Sequence, residues 1–199
     1  DTSYVRVGIR GARTRLIRDA TWPARDVPYR LDRNLWVVGD LEIAPGTTVE
    51  AGMSNRPNRK VRIKVPYNPG GSLTADASGT DEEPILFTGA VKEPGHWGGI
   101  GFSTPNADNI LRNVVVEYGG GELHSGDLES KACVVPMALN GTPSATLEGV
   151  TIRGSAKHGI YKECDAALSC GNLQFEDIAG ANIWDAKVDG PVSGCGPTC

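Results

Sequence analysis

Apolar residues in this chain come in short runs separated by glycine, proline and polar corners. Between Pro84 and Gly121 lie three of them, Ile85–Phe87, Ile100–Phe102 and Leu111–Tyr118, each closed by glycine or a polar corner. None is long enough for a helix, and no helix caps accompany them, so the pattern predicts strand, corner, strand, corner: a coiled sheet. Alternation such as Val61-Arg-Ile-Lys-Val65 or Val150-Thr-Ile-Arg153 sends one face inward and the other outward.

The strands group in threes. The first group is Leu35–Val38, Leu41–Ile43 and Thr48–Glu50, and the second Val61–Val65, Ser72–Ala75 and Ile85–Thr88. The third is Gly99–Phe102, Ile110–Leu111 and Val114–Glu117, and the fourth Pro136–Leu139, Thr146–Leu147 and Val150–Arg153. A shorter fifth takes Gly159–Tyr161, Leu168 and Leu173–Phe175, and Asn182–Trp184 begins a sixth. Third strands centre on Val49, Leu86, Val115, Thr151 and Gln174, with Leu86 and Val115 expected in the core. Their uneven spacing suits stacked strands joined by corners of variable length. Glycines at Gly46, Gly71, Gly89, Gly119 and Gly154 suit such corners. An antiparallel sandwich is the competing fold. It calls for Asn-Gly or Asp-Gly hairpins between long alternating runs, and neither Asn140-Gly141 nor Asp189-Gly190 is so placed.

Composition sharpens this picture. The chain has 199 residues, 39% of them apolar, with 26 Gly and 13 Pro, a level of backbone punctuation that favours turn-rich β architecture over helices. A net charge of −4 gives no reason to expect nucleic acid as a partner. No apolar run reaches the roughly 18 residues of a membrane-spanning helix. A chain that opens at Asp1 is expected to be a processed or partial form. Residues 1–28 read as an N-terminal strand and basic capping segment carrying Arg10, Arg13, Arg15 and Arg18, residues 29–188 as the repeat, and residues 189–199 as a Gly/Pro/Cys-rich tail.

The five cysteines, Cys133, Cys164, Cys170, Cys195 and Cys199, all lie in the second half. Cys164 with Cys170 and Cys195 with Cys199 would close short loops, leaving Cys133, which could instead pair with Cys164 or Cys170. Their spacing fits disulfides better than zinc, and so an extracytoplasmic location.

The strings LEIAPGTTVEAG (Leu41–Gly52), GSLTADASGTDEEPILFTG (Gly71–Gly89), HWGGIGF (His96–Phe102) and LRNVVVEYGGG (Leu111–Gly121) follow one another in order. This series resembles secreted bacterial right-handed parallel β-helix repeat proteins, with an I-x-P-G-T-x-V corner followed by G-S-L-x-A-x-G-T, P-I-x-F-T, W-x-G-I-x-F and I-E-Y-G-G. The resemblance spans about Tyr29 to Trp184 and implies a β-helix of about five to six coils, on a cell surface or secreted. It implies no activity. Ala51 departs from the pattern, as do the basic loop Met53–Lys60 and the cysteine-bearing tail.

Glu117, Glu122, His124 and Asp127, with Tyr118 beside them, are the residues best suited to general acid–base work on a sugar, and their oxygens are of the type that hold Ca²⁺. The competing reading is a corner with solvated loop charges. Arg153, Lys157, His158 and Tyr161 form a second cluster that also suits an ordinary polar corner. Trp36 and Trp97, if turned outward, would join Tyr118 as ligand-binding aromatics; Trp97 also fits as packing over Gly98-Gly99, while the facing of Trp22 and Trp36 is open. No G-x-S-x-G, Walker, H-E-x-x-H or EF-hand motif is present. Three functions follow as expectations. The foremost is a non-catalytic module binding polysaccharide or a surface protein. The others are a polysaccharide lyase or hydrolase, and a structural subunit that associates end to end.

Overall fold

The computed structural model describes residues 3–7, 14–54, 59–122, 130–137, 142–163 and 166–195. Within these the fold is all-β. The strands in order are β1 (Val5–Val7), β2 (Thr14–Leu16), β3 (Ala20–Trp22), β4 (Tyr29–Leu31), β5 (Leu35–Val37), β6 (Asp40–Ile43), β7 (Thr48–Ala51), β8 (Ile63–Val65) and β9 (Ser72–Asp76). They continue with β10 (Ile85–Gly89), β11 (Ile100–Phe102), β12 (Ile110–Glu117), β13 (Ala132–Pro136), β14 (Ser144–Arg153), β15 (His158–Lys162), β16 (Ala167–Gly171), β17 (Gln174–Glu176), β18 (Ile183–Asp185) and β19 (Gly190–Pro191).

Apart from β18 with β19, which run antiparallel, each strand pairs with strands two or three elements away, and every such pairing is parallel. Parallel pairing requires a crossover, and here the one or two intervening strands supply it. Three ladders result. One is β2-β5-β8-β11-β13-β15-β18, which with β19 forms a separate eight-stranded sheet. The other two share an eleven-stranded sheet, because β12 and β14 are bent strands that serve both. Parallel ladders of this kind fit the coiled sheet expected from the sequence and not the sandwich.

The inward positions stack rung upon rung. Val5, Tyr29, Val49, Phe87, Val116, Ile152 and Phe175 are consecutive register partners on the first ladder. Leu35, Ile63, Ile100, Val134, Ile160 and Ile183 form the second. Trp22, Ile43, Ala75, Leu111, Leu147 and Cys170 form the third. Nearly all belong to one buried core, and each fully buried aliphatic or aromatic side chain contributes about 1.5–3 kcal/mol.

The bends in β12 and β14 have a local cause. Asn113, Gly149 and Asn172 adopt φ of 48°, 61° and 51°, the left-handed region that Asn and Gly tolerate best. They stand at the same corner on successive rungs. A second column, Tyr118, Gly154 and Asp177, repeats this one strand later with φ of 62°, 60° and 52°.

Three details differ from the sequence expectation. Leu86 and Val115 are register partners but half-buried on the outer side, while Ile85, Phe87, Val114 and Val116 fill the core. Ile-Leu-Phe and Val-Val-Val are apolar throughout, so alternation could not distinguish their faces. The opening strand of the fourth group is Ala132–Pro136 instead of Pro136–Leu139. Residues 1–28 include three strands, β1 to β3, that join the ladders in register with β4 to β6.

The far end is closed differently. β19 runs antiparallel to β18, Val192 N–H donates to Ile183 O at 3.0 Å, and Cys170 is bonded to Cys195 with Cα atoms 5.9 Å apart. The expected local pairs are therefore corrected: Cys170 takes Cys195 because Cys170 points inward on the last rung and the tail folds back over it. Cys164 and Cys199 lie outside the described residues. Cys133 is a buried free thiol, and burial first of all pushes it up to about 11.

Candidate functional site

Glu117 ends β12 on the outer side, opposite Arg153 on the next rung. Its carboxylate accepts hydrogen bonds from Thr88 Oγ1 at 2.7 Å and Arg153 Nε at 2.7 Å, and pairs with Lys92 Nζ at 3.4 Å. Burial alone would raise its pKa, but the hydrogen bonds of Thr88 and Arg153 and the charges of Arg153 and Lys92 outweigh that and hold it below the usual carboxylate value. A group held ionised this way is a poor proton donor. It is also one rung of a longer outer column, Arg6, Arg30, Glu50, Thr88, Glu117, Arg153 and Glu176, in which Arg30 meets Glu50 and Arg153 lies between Glu117 and Glu176.

Glu122 faces other partners: it accepts from Lys60 N–H at 2.7 Å and lies 3.7 Å from Arg59. His124 and Asp127 lie outside the described residues. Among the described residues no group of three or more His, Cys, Asp or Glu side chains is placed to hold a metal ion. Tyr118 occupies the left-handed corner, with Lys92 5.6 Å from its ring centre and Gly154 packed beneath it.

The candidate aromatics are engaged as well. Trp97 is 1% exposed and its indole N–H donates to Glu117 O at 2.7 Å, so its face is closed to any ligand. Trp36 is half-buried on the outer side of the eight-stranded sheet, with the cations of its register neighbours Arg15 and Lys64 each 5.8 Å from its ring centre. Trp22 stacks on Tyr29 at 4.8 Å and Trp184 on His158 at 4.7 Å.

The second cluster is not a single site. Arg153 is committed to Glu117, Tyr161 is buried, and His158 is a buried residue whose Nδ1 accepts the Ala181 N–H at 3.0 Å.

A concave region unremarked in the sequence lies on the outer side of β3, β6 and β9. This groove, of about 420 Å³, is lined by Asp19, Asp40, Glu42 and Asp108 with the hydroxyl residues Thr21, Ser72 and Thr74. Its polar groups brace one another: Ser72 Oγ donates to Asp40 at 2.8 Å, Asp40 N–H to Asp19 at 2.9 Å, and Thr74 Oγ1 to Asp108 O at 2.8 Å. The carboxylates come from segments far apart in the chain, so no local motif announces them. The only sequence signal is polar residues at outward strand positions. A wall of acceptors without a cation among its lining residues suits a donor-rich partner and repels an anionic one.

Searches of family models, of curated proteins and of solved structures each returned no match.

Proposed function

We propose that the chain is a right-handed parallel β-helix, secreted or surface-exposed, that binds glycan non-catalytically through its outer face. The parallel rungs support the finer fold, since strand–crossover–strand connections are overwhelmingly right-handed. The Cys170–Cys195 pair fits an oxidising environment. The observation that carries the functional reading is the groove of Asp19, Asp40, Glu42 and Asp108: its hydroxyls and carboxylates face outward, whereas Glu117 and Glu122 are tied to neighbouring cations. A labelled sample on an array of neutral, amine-bearing and acidic glycans tests it. Binding that is lost in the Asp40→Asn/Glu42→Gln double variant is expected; a blank array with folded protein would contradict it.

End-to-end association is a second reading, favoured by the first rung, where Val5, Val7 and Leu16 are only half-buried and Ile17 is 69% exposed. Sedimentation across a wide concentration range tests it, a strict monomer being the contrary result.

A further inference from the structure

The groove described above is one end of a longer feature. Thr21, Glu42, Thr74, Ile110, Thr146 and Ser169 are successive register partners on six rungs of one outer face. At the opposite end of this column lies a second groove, of about 320 Å³, lined by Ser144, Thr146 and Ser169 with Ala166, Leu168 and Cys195. Both grooves therefore open on the same column, and between Thr74 and Ser169 every rung but that of Ile110 offers a hydroxyl.

We infer that this column is a single binding track for a linear, uncharged polysaccharide lying along the stacking axis. The inference rests on the glycan-binding reading and names its ligand class and direction. Three observations select this occupant. Rungs of a parallel sheet repeat every ~4.8 Å, close to the advance of one pyranose unit in an extended β-linked chain, so each sugar lies over one rung, neighbouring units turning opposite edges to the face. An extended peptide advances only ~3.3 Å per residue and falls out of phase with the rungs. Finally, Asp19, Asp40, Glu42 and Asp108 accept hydrogen bonds from sugar hydroxyls but repel uronates.

Titration calorimetry with β-1,4-linked glucose oligomers of increasing length, against α-1,4-linked galacturonate oligomers of the same lengths, tests the track. Affinity is expected to rise with length until the rungs are spanned, with no galacturonate binding. Thr74→Val and Thr146→Val keep shape and strand preference while removing one hydroxyl each, and each is expected to weaken binding about fivefold, with an unchanged melting temperature for Thr146→Val and a small fall for Thr74→Val, whose hydroxyl also donates to Asp108 O. Length-independent affinity, equal binding of galacturonates, or full affinity in both valine variants would overturn the track. The last result would leave glycan binding standing but move it to another face. A blank glycan array would instead remove the functional reading itself.

Discussion

Glu117 and Arg153 meet at 2.7 Å across adjacent rungs, a carboxylate that is almost fully buried beneath a guanidinium that is half exposed. The pair converts the most reactive-looking carboxylate of the sequence into part of the scaffold. Truncating Arg153→Ala leaves Glu117 with Thr88 and Lys92 only, and should cost about 1–2 kcal/mol, read as a fall of about 2–4 °C per kcal/mol in Tm. Unchanged stability would show that the pair is incidental.

The same carboxylate gives the protein an acid limit. Its folded-state pKa lies below the ordinary 4.5, so its contribution is complete above that value and is lost as pH falls through the folded-state value. Thermal melts from pH 5 downward should show a steep loss that Glu117→Gln flattens. An identical slope in the variant would assign the loss to other groups.

His96 should produce a separate, milder transition. Burial lowers its pKa below the ordinary 6.5, with Lys60 pushing the same way, so the folded state favours the neutral ring. Stability is then greatest above pH 6.5 and declines as pH falls below it. His96→Gln should remove this part of the pH profile while leaving the acid limb of Glu117. A profile unaltered between pH 7 and 5 would contradict the assignment.

The latch between Cys170 and Cys195 closes a separation of 25 residues. Chain-entropy arguments value a closure of that length at about 3–4 kcal/mol. Cys195→Ser should lower Tm and make residues 186–195 the first site of proteolytic cleavage, since β19 would lose its covalent anchor. Equal protease resistance would show that the antiparallel pairing alone holds the tail.

Glycine positions discriminate between conformational and steric demands. Gly149 has φ of 61°, and a methyl group added there would have room, its nearest neighbour being Asn113 N at 3.8 Å. Gly149→Ala should therefore lose only what the left-handed backbone costs an alanine, about 1–2 kcal/mol, and Gly149→Asn less. Gly71 lies against the Gly39 carbonyl on the neighbouring rung, so Gly71→Ala must displace backbone and should be far more damaging. Equal losses at both sites would reject this distinction.

Much of this fold was legible because the core repeats. Val49, Ile100, Leu147 and Ile160 sit in strands that the short apolar runs mark, and the breaks between Leu111 and Val114 and between Leu147 and Val150 coincide with the bends at Asn113 and Gly149. What was not legible depends on three-dimensional neighbours. Asn109 is buried and bridges rungs, accepting from Leu73 N–H at 3.2 Å and donating to Ser144 O at 3.0 Å, a role no local pattern reveals. Glu117 looked reactive because Arg153 and Lys92 are distant in sequence, and Cys195 found Cys170 only because the tail turns back. The groove of Asp19, Asp40, Glu42 and Asp108 likewise joins three segments distant in sequence.

The most direct measurement is the pattern of backbone NOEs between strands in solution. Parallel stacking places Tyr29, Val49, Phe87, Val116 and Ile152 on consecutive rungs, with Hα-to-amide contacts linking each to the next ladder strand. That series is the expected result. Close Hα–Hα pairs joining strands adjacent in sequence other than β18 with β19, such as β10 with β11, would mark antiparallel hairpins and contradict the account.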